Sequence, residues 1–156
     1  MNFRNPNTIP DLYSVYQTIK PISEFYPNFS SWYWDKVVTG IMLGDDKIIM
    51  AEKNNELVGI AIIKNGEEKK LRVLRISDNY QKTGAGLYLI DEALKQLNND
   101  KPMCSVAEEM FHQYSRIFVE RYGFDLTHVY KGIYRKGKLE YTFNENIDLN
   151  KKTINF

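Results

Sequence analysis

Cysteine is almost absent from this 156-residue chain, where Cys104 stands alone. A single thiol excludes an internal disulfide and fits a reducing compartment. It sits in a largely apolar run, Met103–Ala107, which points to a buried, inert thiol rather than a nucleophile. Histidine is nearly as scarce. His112 and His128 have no cysteine or carboxylate at ligand spacing, so no metal site is expected, and no nucleophilic triad can be assembled. Neither sign of charge dominates: 21 basic against 20 acidic residues leave a net charge of +1. That balance argues against nucleic acid or an anionic membrane as the main partner. No run approaches the roughly 18 apolar residues of a membrane span. The start, Met1-Asn2-Phe3-Arg4-Asn5-Pro6, lacks the apolar stretch of a signal peptide. A cytoplasmic location is expected. Repeats and low-complexity segments are also missing.

What is present is concentrated at Asn79-Tyr80-Gln81-Lys82-Thr83-Gly84-Ala85-Gly86. This stretch follows an apolar strand, Leu71 to Ile76, and opens an amphipathic helix, Leu87 to Leu97. Glycines on either side of one small residue let the backbone turn sharply and leave N–H groups unpaired. Such groups at a helix start, with the helix dipole behind them, form an anion site, so a phosphorylated ligand is expected here. It is not a P-loop, which needs four residues between its glycines and then Gly-Lys-Ser/Thr. A dinucleotide fingerprint would want glycine where Leu89 stands and a parallel βαβ context. The context here is an antiparallel meander: Lys47–Ala51, Leu57–Ile63 and Lys69–Ile76. Lys53-Asn54-Asn55-Glu56 makes the first turn, and Asn65-Gly66 supplies the strong hairpin signal in the second.

Ile76-Ser77-Asp78-Asn79-Tyr80-Gln81-Lys82-Thr83-Gly84-Ala85-Gly86 resembles the acyl-CoA signature of the GNAT family of N-acetyltransferases, Gln/Arg-x-x-Gly-x-Gly/Ala after a strand. Gln81, Gly84 and Gly86 fit its register. A strand at Met103–Ala107, a helix near Met110–Tyr122 and then Tyr122-Gly123-Phe124 resemble a second family element, so the likeness covers roughly residues 69 to 126. It implies an α/β (α+β) class, in which a central, mostly antiparallel mixed sheet is flanked by helices and its fourth and fifth strands splay apart. A length of 156 residues suits one domain. We place that domain at residues 1–145, with a polar tail at 146–156 whose order the sequence leaves open.

Elsewhere, Thr8 can cap a helix over Ile9–Ile19, with Pro10 and Asp11 in its first turn and Pro21 beyond its end. Ser30 or Ser31 can cap a second helix, Trp32 to Met42, closed by Gly44. Between them lies the aromatic loop Phe25-Tyr26-Pro27-Asn28-Phe29. The resemblance sets this region beside the acceptor cleft, so Tyr26, Phe29, Trp32, Tyr33 and Trp34 are candidates for shaping it; core packing is the competing reading. Asp125–Tyr134 and Leu139–Phe143 read as strands around the basic turn Arg135-Lys136-Gly137-Lys138.

The resemblance also implies chemistry, the transfer of acetyl from acetyl-CoA to an amine. Backbone N–H groups of Gln81, Lys82, Thr83, Gly84, Ala85 and Gly86 would cradle the CoA pyrophosphate. The strand end at Leu74 and Ile76 would offer main-chain groups to the pantetheine arm, as strand pairing does. A lysine-like amine is neutral in only about one molecule in 2,500 at pH 7, so a base must act before attack. Glu108 and Glu109 follow the fifth strand and are the first candidates, with Glu52 behind them. A backbone N–H near Ile76 is a candidate oxyanion donor. Family members commonly carry a tyrosine four residues before the Gly-Phe glycine, to protonate the leaving thiolate; here Val119 stands there. Ser115 and Tyr122 share Val119's helix face and are the substitutes considered, with Tyr114 more distant. His112 stands where an asparagine often helps to bind CoA.

The acceptor is left open among small molecules, protein amines and aminoacyl-tRNA. The last would need a basic groove, for which Lys69, Lys70, Arg72, Arg75 and the hairpin lysines are available, against the near-zero net charge. A homodimer is compatible with the tail crossing to a second copy. Val119 and His112 motivate one rival: an acyl-CoA-binding sensor or interaction module on the same fold, without catalysis.

Overall fold

The computed structural model describes residues 1–146; the expected tail, apart from Asn146, lies outside them. Strands β1 (Asn2–Arg4), β2 (Asp46–Lys53), β3 (Glu56–Asn65) and β4 (Lys69–Ile76) form a four-stranded sheet in sequential order, antiparallel throughout. Strands β5 (Cys104–Ala107), β6 (Leu126–Lys131) and β7 (Leu139–Phe143) form a second, in the order β5-β7-β6. The two meet at one parallel bridge, Lys70 to Met103. There Leu71 N–H donates to Met103 O and Met103 N–H donates to Lys69 O, both at 2.9 Å. This is the expected architecture of a mostly antiparallel mixed sheet whose fourth and fifth strands part. The short edge strand β1 was not anticipated.

Helix α1 spans Ile9–Ile19 as expected, with Thr8 Oγ1 accepting from Asp11 N–H at 3.1 Å. Helix α2 is built from three consecutive segments, Phe29–Ser31, Trp32–Val37 and Val38–Leu43, the middle one wound with π geometry. It starts a turn earlier than the serines suggested. Asn28 adopts a left-handed conformation and its carbonyl accepts from Trp32 N–H, so neither Ser30 nor Ser31 caps it. The Gly44 stop is as expected. The tight hairpin is at Asn54-Asn55, both with positive φ, between the paired residues Lys53 and Glu56, the geometry of a two-residue type I′ turn. Asn65-Gly66 instead opens a longer turn, since Asn65 pairs with Lys69. Helix α3 runs Ala85–Leu97. Helix α4 joins an α segment, Phe111–Ser115, to a π segment, Arg116–Arg121.

Helices cover both faces of the first sheet, which explains the near-continuous apolar runs in β2 and β3. Ile48, Met50, Ile60, Ile62 and Val73 pack under α1 and α2, against Val15, Ile19, Tyr33 and Val37. Ile49, Ala51, Ala61, Ile63 and Leu71 face α3, against Leu89, Ile90, Ala93 and Leu97. Each large side chain buried this way contributes about 1.5–3 kcal/mol. Cys104 is buried as expected, at 3% exposure, and burial raises its thiol pKa well above the ordinary value. Among the described residues no helix is long and apolar enough to cross a membrane.

One buried ion pair links β4 to β2 across the sheet, and α2 packs on it. Arg72 Nη1 lies 2.8 Å from Asp46 Oδ1 with both side chains 4% exposed, and the guanidinium sits 4.9 Å over the Trp32 ring. Gly40 on α2 lets this carboxylate approach, because a Cβ there would stand 1.7 Å from Asp46 Oδ2. Gly40→Ala therefore displaces Asp46 and is expected to cost about 1–3 kcal/mol, read as a lower urea midpoint at unchanged m-value.

Candidate functional site

Beyond the Lys70–Met103 bridge, β4 and β5 separate, and a bulge in β4 aims its exposed backbone. Ile63 pairs with Leu71 and Ile62 with Val73, leaving Arg72 as the extra residue. Ser77 N–H then donates to Val58 O at 2.8 Å, and Arg75 O lies against Gly59 of β3. Alternation along the strand turns the main-chain groups of Leu74 and Ile76 the other way, into the gap. Gln81 Nε2 reaches back to Ile76 O at 3.2 Å and holds the following turn against the strand end.

That turn is a short 3₁₀ segment, Asp78–Tyr80, followed by Lys82 with φ +63° and Gly84 with φ +86° as the residue before α3. Among the described residues the N–H groups of Lys82, Thr83, Gly84 and Gly86 donate to no protein acceptor. Ala85 N–H makes only a long contact, 3.4 Å, to Thr83 Oγ1. A Cβ at Gly86 would meet Ile76 Cγ1 at 3.6 Å, an ordinary contact. The fold itself would accept a side chain there, and the bare glycine keeps the space before the helix start open. Free N–H groups, a left-handed glycine and an unobstructed approach fit a phosphate group.

The gap continues into a cavity of about 400 Å³. Leu71–Arg75 of β4, Cys104–Ala107 of β5, Met110 just before α4 and Tyr114 and Phe118 on it line one part; Phe25, Tyr26, Phe29, Trp32 and Tyr134 line the other. Tyr26, Phe29 and Trp32 thus stand in its wall. Tyr33 and Trp34 do not: Tyr33 is in the core with its hydroxyl on Leu12 O, and Trp34 packs on Tyr13 and Tyr16.

The acidic candidates are all engaged. Glu109 accepts two hydrogen bonds from Arg135, both 2.7 Å, which hold its carboxyl down at about 2. Glu108 accepts from Leu139 N–H at 2.7 Å, and Glu52 pairs with Arg4. On α4, Tyr122 donates to Asp91 Oδ1 at 2.7 Å, facing α3 rather than the cavity. Ser115 is half-buried and His112 exposed, neither in the cavity wall. Counting back from Gly123 misleads because Arg116–Arg121 is π-wound, which adds a residue to the turn. Val119 accordingly faces outward at 45% exposure while Phe118 is 3% exposed, and Tyr114, stacked on Phe118, is the phenol that reaches the cavity wall.

Two features escaped the sequence reading, Tyr134 in the wall and Glu140 behind it. Tyr134 meets Tyr26 edge-on at 5.2 Å between ring centroids. Glu140, 4% exposed, accepts from Tyr26 Oη and Ser105 Oγ, each at 2.6 Å. The available signal was an acidic residue alternating with Leu139, Tyr141 and Phe143 in a strand.

A family pattern described as an acetyltransferase (GNAT) domain matches residues 17–137. The chain belongs to the GNAT acetyltransferase family. Solved structures with this fold include a GNAT-family acetyltransferase from Desulfovibrio desulfuricans, with 18% identity, TM-score 0.71 and coverage of 91% of this chain and 96% of that one. A GNAT-family acetyltransferase from Elizabethkingia anophelis, with acetyl-CoA bound, gives 14% identity, TM-score 0.62 and coverage of 91% and 95%. The ribosomal-protein-S18-alanine N-acetyltransferase of Escherichia coli gives 15%, 0.67, and 91% and 90%. No curated protein sequence matches.

The Glu109–Arg135 pair makes a pH-dependent contribution to stability. Its carboxyl is lowered from 4.5 to about 2 in the folded protein, so the contribution is full above the unfolded value and fades as pH falls toward the folded one. Glu109→Gln is expected to lower stability by about 0.5 kcal/mol at pH 7, as for partly exposed pairs. The difference from wild type should shrink between pH 4.5 and 2, read by denaturant titration.

Proposed function

We propose that this protein is an N-acetyltransferase that takes acetyl-CoA and acetylates a primary amine. The observation that carries the reading is the continuity of three parts. The N–H groups of Lys82, Thr83, Gly84 and Gly86, unpaired among the described residues, open beside the Leu74 and Ile76 backbone, and that edge runs into the cavity between β4 and β5. Membership of the acetyltransferase family supports the class of reaction, and a relative of the same fold holds acetyl-CoA.

In this reading the Lys82–Gly86 amides hold the pyrophosphate and the Leu74 and Ile76 backbone groups hold the pantetheine amides. Acetyl-CoA supplies an activated acyl carbon at the bulge of β4. A main-chain N–H near Ile76 polarises the acyl oxygen beside the apolar side chains of Phe118 and Val106. Tyr114, largely buried with its pKa raised by burial and the Arg75 charge opposing that rise, stays protonated and can donate to the departing sulfur. The non-catalytic reading rested on Val119 and His112; both are exposed and neither lines the cavity, whereas Tyr114 lines it and can supply the proton that Val119 lacks.

The test is thiol release from acetyl-CoA across a panel of primary amines, with acetyl-CoA affinity followed separately by calorimetry. Tyr114→Phe should lower kcat about 10²-fold and leave acetyl-CoA affinity unchanged. Binding of acetyl-CoA with no thiol release from any amine would overturn the enzyme reading and favour a binding module.

A further inference from the structure

Glu140 is buried without an ion pair among the described residues. It accepts hydrogen bonds from Tyr26 and Ser105 on Oε2 alone, and among the described residues Oε1 accepts none and the carboxylate makes no ion pair. The charged groups around it are otherwise matched. Arg135 is held by Glu109, Arg72 by Asp46 and Arg75 by Asp78. A buried carboxylate with no ion pair is costly, and this one lies just behind a cavity wall to which Tyr26 and Ser105, its two hydroxyl donors, belong, so a cation brought by a ligand would offset that cost.

We propose that Glu140 binds the ammonium of the acceptor and takes its proton, and that the acceptor is an amine on an apolar, uncharged body. The proposal rests on the acetyltransferase reading above. Glu140 pairs across the sheet with Ala107, so its side chain shares a face with Ser105 and lies directly behind the cavity wall. Phe25, Phe29, Trp32 and Val73 line that wall and suit an apolar body. Glu24, exposed at the rim, adds negative charge at the entrance. Burial raises the Glu140 pKa against the opposing pull of its two hydroxyl donors and Arg135, which makes the carboxylate a better base.

In the step itself, one N–H proton of the ammonium passes to Glu140, directly or through the Ser105 hydroxyl. The freed nitrogen lone pair attacks the thioester carbonyl, the C–N bond forms and the C–S bond breaks. The thiolate leaves with a proton from Tyr114 or water, the adduct nitrogen gives up its second proton to restore that donor, and Glu140 returns its own proton to solvent.

The experiment uses the full chain saturated with CoA and titrated calorimetrically with 2-phenylethylamine, and in parallel with phenylalanine, which adds a carboxylate to the same body. The expected result is measurable amine binding that Glu140→Gln weakens at least about tenfold, with phenylalanine binding more weakly than the amine. Glutamine still accepts from Tyr26 and Ser105, so the variant should melt like wild type, and Ser105→Ala serves as a second probe. The acidic limb of the kcat/KM profile should also disappear in Glu140→Gln. Tyr26, Tyr134, Arg135 and Glu109 face Glu140 and remain in the variant, so that loss reports Glu140 itself. Unchanged amine affinity and an unchanged acidic limb, or no binding of the amine to wild type, would overturn the proposal even if thiol release with other amines upholds the enzyme reading. Glu140-dependent amine binding without thiol release would uphold the site and sink the enzyme reading.

Discussion

Two main-chain hydrogen bonds at the Lys70–Met103 bridge hold the sheets together, and the rest of the site depends on that join being so short. Had β4 and β5 paired along their length, Leu74 and Ile76 would have spent their peptide groups on β5. Instead the bulge at Arg72 twists β4 away, and among the described residues the edge at Leu74 and Ile76 meets no second strand and keeps only the Gln81 side chain, on Ile76 O. Unmatched backbone beside an apolar cleft costs free energy, and an extended polar partner would offset that cost.

The same separation sets the division of labour between the two faces. On the α3 and α4 side, the turn after β4 presents amides to an anion, and Phe118 and Tyr114 close the cleft over the strand edge. On the α1 and α2 side, the wall is aromatic, with the Asp46–Arg72 pair fixing Trp32 and Glu140 lying behind Tyr26 and Ser105. In the proposed reaction, an anionic, extended donor and a cationic acceptor would enter from these chemically different sides.

Local rules made much of this legible. Thr8 and the prolines marked α1 because capping is a matter of a few adjacent residues. Gln81, Gly84 and Gly86 marked the turn because a left-handed residue before a helix has few sequence solutions. The misses came where tertiary context decides. Asn54-Asn55 made the tight hairpin instead of Asn65-Gly66, since strand register, fixed by burial on both faces, set the loop lengths. Counting from Gly123 gave Val119 because a π turn leaves no sequence mark that a period of 3.6 detects. Glu109 looked free beside the fifth strand, but its partner Arg135 lies on a distant hairpin. Glu140 was hidden because one acidic residue in a strand reads as solvent-facing until the loop carrying Tyr26 is seen to cover it.

The central claim is that acetyl-CoA lies along the turn and the strand edge together. Amide NMR spectra of the ¹⁵N-labelled protein during titration with CoA test it most directly. The account expects the amide signals of Lys82, Thr83, Gly84 and Gly86, and those of Leu74 and Ile76, to move together and to saturate at one CoA per chain, with Gly86→Glu abolishing both sets. Saturable shifts that leave these amides still and move others would contradict it.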